Sequence, residues 1–314
     1  MFSDADEEVA MDKADIAALL ALCAALSSAF GSVIRQRSAQ EITDEPVGHW
    51  KLFTLLLRDR RWWLGAAAAV TNYSLQAAAL SMGSVILVTA LQVTVLLFAL
   101  PINARLTHHR VTPWEWIWAT LLAAAVAVIV TVGHPTAGQQ RASLGTWVVV
   151  AVVMGPALVL CVLGARVWPG PVAAVLLALV SGSSLALFAV LTKGVIEAGE
   201  AGAGALLRSP EVYAWIAIAM TSMVFQQSAF RSGALTASLP TLTLAKPVVG
   251  WILGITVLSE RLRVDGAQLG ALVVAVAVMV VATVALARGE AATMEALSRR
   301  RATATRPPVT SPGG

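Results

Sequence analysis

Apolar runs of about 20 residues, long enough as helices to cross a bilayer, recur along the chain between short charged breaks. They predict nine membrane-spanning helices, at about 15–34, 62–81, 84–105, 114–133, 144–166, 171–195, 211–230, 234–258 and 266–287. A membrane β-barrel would instead alternate polar and apolar positions. The fold class expected is therefore an all-α polytopic membrane protein. Residues 1–14 form an acidic leader, with Met11 as an alternative start, and lack the basic opening of a cleavable signal peptide. Between the first two spans, residues 41–61 hold an amphipathic stretch. Its uncharged core, Leu52 to Leu57, is too short to span, so it reads as an interfacial segment. Residues 288–314, rich in Arg and Pro, read as a disordered basic tail.

The halves of the chain resemble each other. NYSLQAAALSMGSVILV (72–88) lies over SMVFQQSAFRSGALTAS (222–238), so that Gln76 meets Gln226 and Gly83 meets Gly233. SSAFGSVIRQR (27–37) lies over SLALFAVLTKG (184–194), each an apolar run ending in a base. The expected plan is two four-helix repeats, 15–133 and 171–287, joined by a linker helix at 144–166. One intervening helix makes the repeats opposite in orientation, a frequent architecture of secondary transporters.

The eighth span carries the most informative polar positions. Thr236, Pro240, Thr243, Lys246, Pro247, Gly250 and Gly254 fall within about a 120° arc of that helix. A cation at membrane depth costs roughly 2.5–3.5 kcal/mol, which makes Lys246 a functional candidate. Asn72, Gln76, Gln92, Thr89, Asn103, Ser222 and Gln226 place further polar groups on the second, third and seventh spans. For each of them a plain interhelical hydrogen bond is the competing reading. Together they suggest a substrate site formed by Lys246, Thr243, Gln226, Gln76, Asn72 and Gln92. Pro240, Pro247, Gly250 and Gly254 would supply hinge and packing positions. None of the 18 acidic residues falls at the middle of a span. Three states are open for Lys246: neutral in a dry site, solvated by water and carbonyls, or paired with an anionic group of a substrate.

Composition sharpens the class. The chain is 58% hydrophobic and 13% charged, with mean hydropathy +0.77, against about 25% charged for a soluble domain. Its net charge of +4 resides in loops and tails, where bases orient a membrane protein rather than bind nucleic acid. Arg35, Arg37, Lys51, Arg58, Arg60 and Arg61 between the first two spans, with the arginines of the tail, predict an outside N-terminus and a cytoplasmic C-terminus. Cys23 and Cys161 read as small apolar fillers. The histidines, all in loops, form no metal-ligand spacing and no nucleophile–base pair. No cofactor, metal site or enzyme activity is expected.

LAKPVVGWILGITVLSERLRVDGAQLGALVVAVAVMVV (244–281) resembles the final helix pair of the drug/metabolite transporter (EamA-like) superfamily. The resemblance rests on Pro247, Gly254, the Ser259-Glu260-Arg261-Leu262 turn, and Gln268, Gly270 and Ala271. The nine-helix plan with an early amphipathic loop is similar to the NIPA-like branch. The resemblance spans about residues 15–287 and implies a solute transporter of the cytoplasmic membrane without ATP-binding machinery. Some members of that branch are regarded as magnesium transporters. The position before the proline is often acidic in the superfamily; here it is Lys246, which argues against carrying over a cation substrate. The expected function is secondary transport or export of a small organic anion or zwitterion by alternating access. A Mg²⁺ transporter, a flippase for a phosphate-bearing lipid and a non-transporting scaffold are the alternatives. The partners expected are the lipid bilayer and a small-molecule solute, with a homodimer left open.

Overall fold

Proline stands in the first turn of three of the helices, at Pro113, Pro171 and Pro210. Its missing N–H costs nothing there, because that position has no intrahelical acceptor. Other starts are capped by side chains. Ser84 Oγ accepts from the Leu87 amide, Ser143 Oγ accepts from the Thr146 amide, and Thr112 forms a reciprocal capping box with Glu115. The computed structural model describes residues 2–42, 60–107, 111–232, 235–262 and 266–304. These form α1 (Phe2–Ile42), α2 (Arg60–Met82), α3 (Val85–Gln92), α4 (Val95–Thr107), α5 (Pro113–Gly133), α6 (Leu144–Val167), α7 (Pro171–Glu200), the short α8 (Ala203–Arg208), α9 (Pro210–Arg231), α10 (Leu235–Val257) and α11 (Gly266–Ala304). A two-residue strand β1 (Pro135–Thr136) pairs antiparallel with β2 (Arg261–Leu262), Pro135 opposite Leu262 and Thr136 opposite Arg261.

Among the described residues, seven helices are long and apolar enough to cross a membrane. They are Lys13–Ser32, Val85–Ile102 (α3 running into α4), Pro113–Gly133, Leu144–Val167, Pro171–Glu200, Thr236–Val257 and Gln268–Ala292. With them the chain is an all-α polytopic membrane protein. α2 and α9 have 23 and 22 residues, enough length for a bilayer. They are more polar and lie along α1 and α7 respectively.

Small residues set the spacing of the bundle. Ala17, Ala21, Ala24, Ala25 and Ala29 of α1 are fully buried, and α2 packs along them. A methyl group on Gly31 would come within 2.9 Å of the Ala68 Cβ, and one on Gly83 within 2.7 Å of the Ala17 Cβ. α7 carries α9 on one side and α10 on another. A Cβ on Gly182 would sit 2.5 Å from that of Ala245. Close backbone approach replaces the hydrophobic drive that helices lack in lipid. α10 also touches α3 and α11, and α5 lies along α11. α6 has no buried residue at all and rests only on the outside of the bundle, chiefly against α7.

Several expectations change. The third span is not one helix. It breaks at Val93–Thr94, where Val93 and Thr94 amides bond three residues back, to Ala90 and Leu91. No proline or glycine sits at the break, so helical periodicity gives no sign of it. The last helix does not stop near 287 but continues to Ala304, where a disordered tail is expected from 288. Residues 290–304 are mostly Ala, Glu, Met, Leu and Arg, strong helix formers that prolong an existing helix. The acidic leader likewise continues α1 as helix from Phe2. Most of the interfacial stretch, 43–59, and residues 305–314 lie outside the described residues.

Candidate functional site

One end of the bundle gathers three non-contiguous segments. They are the start of α3, the loop 134–143 after α5, and the turn that follows α10. The turn is shaped by Ser259, whose φ of 54° is left-handed and uncommon for a residue with a side chain. It brings the Glu260 amide back to the Gly254 carbonyl at 2.9 Å and points the Glu260 carboxylate into the bundle. That carboxylate accepts from the Val85 amide at 2.6 Å and the Ile86 amide at 3.0 Å. These are donors at the N-terminus of α3, where free amides and the helix dipole favour an anion. Lys193 Nζ of α7 lies 3.4 Å from the same carboxylate, and both side chains are fully buried. Gly254 makes room for the carboxylate; a Cβ there would come within 2.6 Å of Glu260 Oε2. Trp251 Nε1 donates to the Ile86 carbonyl at 3.2 Å.

The loop lies over this cluster. The Gln139 amide donates to the Leu258 carbonyl at 2.7 Å, beside the β1–β2 pairing. Outside the spanning segments, Arg141 meets Glu211 at the start of α9 with two parallel bonds, Nε to Oε1 at 2.7 Å and Nη2 to Oε2 at 2.8 Å. The Ser209 hydroxyl also donates to Glu211. The Arg141 bond, helped by Ser209, holds the Glu211 carboxyl down to about 2 from the usual 4.5, against a smaller opposing effect of burial. A depressed folded-state value gives stability that is complete above the unfolded value of 4.5 and lost as pH falls through about 2. Arg141 is 42% exposed, so water screens the pair and its contribution is at most about 1 kcal/mol. Glu211→Gln is therefore expected to lower thermal stability slightly at pH 7, with the difference from wild type shrinking steadily below pH 4.5. Equal differences at pH 7 and pH 3 would count against the pair.

The residues predicted from the sequence occupy the interior differently. Pro240, Pro247, Gly250 and Gly254 are buried, and Lys246 and Thr243 are half-buried. Val248, Ile252 and Ile255 are exposed on the opposite side of α10. Gly250 faces Thr89 of α3, whose Cγ2 would lie 3.2 Å from an added Cβ. α10 and α3 thus meet along the small-residue stripe. Thr243 spends its hydroxyl on the Leu239 carbonyl of its own helix at 2.8 Å. Gln92 is buried, with its amide nitrogen 3.5 Å from the Ala21 carbonyl of α1. Asn72 and Gln76, one turn apart on α2, are 7% and 3% exposed. Asn72 Oδ1 and Gln76 Oε1 have no donor among the described residues. Gln226 is half-buried on α9. Lys246 has no hydrogen-bond or ion-pair partner among the described residues, and no hydrogen bond joins the six candidates to one another there. The side chain of Asn103 lies outside the described residues.

No family model matches the chain, and no solved structure matches it. The chain is 34% identical over 288 residues to the uncharacterized protein Cgl0250/cg0304 of Corynebacterium glutamicum, across 91% of this chain and 98% of that protein. The two proteins share one family. The similarity runs through nearly the whole length, so the family shares the polytopic helical plan rather than a single segment. The printed name of the relative states no activity.

Within this family member, the buried cluster at Glu260 escapes sequence reasoning for a definite reason. Glu260 reads as a loop acid after the eighth span, and Lys193 as the base that ends the sixth. They are 67 residues apart, and Val85 is 175 residues from Glu260. The available signal is the left-handed Ser259 turn within the Ser-Glu-Arg-Leu motif, which the resemblance to transporters singles out without giving its contacts.

Proposed function

We propose that this protein is a secondary transporter of the drug/metabolite transporter type that moves a small organic anion or zwitterion by alternating access. The observation that carries the reading is Lys246. It stands at the middle of a helix that contains two prolines, half-buried, and without an acceptor among the described residues. A cation kept at membrane depth without a protein partner suits an anionic ligand. The neighbouring α3–α4 tightens to bonds three residues back at Val93–Thr94, a departure from α geometry of the kind that marks hinges.

The packing supports an inverted-repeat plan of nine crossings. α2 lies along α1 as α9 lies along α7, and α1 touches α3 and α4 as α7 touches α10. On this reading α3–α4 and α10 are equivalent helices meeting at the repeat interface. The distribution of bases supports a cytoplasmic membrane location with the N-terminus outside. The buried Glu260 carboxylate is engaged by Lys193. The organic-anion reading is preferred to Mg²⁺ transport because the Lys246 cation would repel a second cation.

Flux of a panel of organic anions and zwitterions into proteoliposomes tests the reading. Lys246→Ala is expected to lower the rate for the transported member about 10- to 100-fold, the size of losing one charged hydrogen bond at about 1.5–3 kcal/mol. Lys246→Arg is expected to retain part of it. Wild-type flux in Lys246→Ala would remove the lysine from the site.

A further inference from the structure

We propose that Lys193 and Glu260 form the latch of a gate, closed in this structure, at the end of the bundle that holds the start of α3. The inference rests on the alternating-access reading above and adds where that motion is controlled. Four features carry it.

The latch joins the halves. Glu260 and Lys193 come from the second half of the chain, and the Val85 and Ile86 amides come from the first. The Trp251 bond to the Ile86 carbonyl crosses the same boundary.

Its contacts can all be exchanged for water. Two amide–carboxylate bonds, one ammonium–carboxylate contact and one indole–carbonyl bond hold the start of α3 to α10 and its turn. The desolvation cost of a buried ion pair offsets much of its mutual attraction. Opening such a contact returns both charges to water, so the net cost of parting is small. Leucines in the same places would make opening expose apolar surface.

The parts can move. Pro240 and Pro247 lie inside α10, each leaving a carbonyl of the helix without its amide donor, and α3 ends at the Val93–Thr94 turn. These are the places where a helix bends. The ends that carry the latch can tilt while the lower helices keep their packing.

A cover lies over the latch and is itself light. The loop 134–143 is held by a two-residue strand pair, the Gln139–Leu258 bond and the Arg141–Glu211 pair. It closes the end without a packed apolar plug of its own.

The test uses the full chain with Cys23 and Cys161 replaced by alanine and Thr89→Cys introduced. Thr89 is fully buried on α3, one turn below Val85. The protein is reconstituted in liposomes and labelled with a membrane-impermeant maleimide. Wild-type pairing is expected to give slow labelling. Lys193→Met with Glu260→Gln removes both charges and leaves one acceptor oxygen for the two amides of Val85 and Ile86, so it is expected to speed labelling about tenfold. Glu260→Ala is expected to speed it by a similar factor. If Glu260→Ala does not fold, the double variant alone decides. Labelling of the double variant at or below the wild-type rate overturns the latch. These rates need no substrate, so the outcome is independent of the flux measurements. Expected labelling with no anion flux would keep the latch and drop the solute; anion flux with unchanged labelling would do the reverse.

Discussion

Glu260→Ala is expected to cost about 3–5 kcal/mol of stability, the cost of breaking a buried ion pair from one side. The loss has two sources. Lys193 is left fully buried without its carboxylate, and the Val85 and Ile86 amides at the start of α3 lose their acceptor. Each orphaned buried donor adds its own desolvation penalty. Thermal unfolding of the detergent-purified protein, followed by tryptophan fluorescence, reads the effect. The double variant Lys193→Met with Glu260→Gln is expected to lose less, about 1–3 kcal/mol, because no charge is left unpaired but one of the two amides faces the Gln NH2 instead of an acceptor. A Glu260→Ala protein as stable as wild type would mean that the carboxylate contributes nothing at α3.

Gly138→Val is expected to be the other large loss, about 1–3 kcal/mol from overpacking with about 1 kcal/mol more from a broken hydrogen bond. A Cβ at 138 would overlap the Leu258 carbonyl oxygen and lie 2.8 Å from the Glu260 nitrogen. Every neighbour there is backbone, so no side chain can swing away. The loop would have to lift, breaking the Gln139–Leu258 bond and unseating the β1–β2 pair. The effect should be non-additive with that of Glu260→Ala, because both act on the same turn. Gly155→Val is the matched control. Nothing lies within 4 Å of an added Cβ there, so its melting temperature should stay close to wild type. A Gly138→Val protein that melts with that control would show that the loop does not seat on the turn.

The positions of most helices were legible because span length is dictated by bilayer thickness, and Pro113, Pro171 and Pro210 mark starts unambiguously. The stripe on α10 was legible for a similar reason: a single helix obeys its own periodicity. Gly250 and Gly254 do face α3, with Val248 and Ile252 turned away. Contacts between distant segments carry no such period. Nothing along the sequence pairs Lys193 with Glu260, or brings Gly138 onto the Leu258 carbonyl. The break at Val93–Thr94 is illegible for another reason. Its residues are ordinary, and the Thr94 hydroxyl that donates to the Leu91 carbonyl at the turn is a local bond that periodicity does not register. Beyond residue 288 polarity suggests disorder, but alanine, glutamate and arginine extend an existing helix.

α6 has no buried residue, and its apolar side chains, Val148, Val152, Val159 and Leu160 among them, point outward. During synthesis such a helix can enter lipid alone, since its polar side chains, Thr146, Trp147 and Arg166, lie at its ends. α2 and α9 cannot do so as readily, with Asn72 and Gln76 on one and Ser222 and Gln226 on the other. Each is preceded in the chain by the more apolar helix it packs on, α1 or α7. The order of the sequence thus delivers the host before the guest in both halves. The self-sufficient α6 lets the first half settle in the membrane before the second begins to emerge.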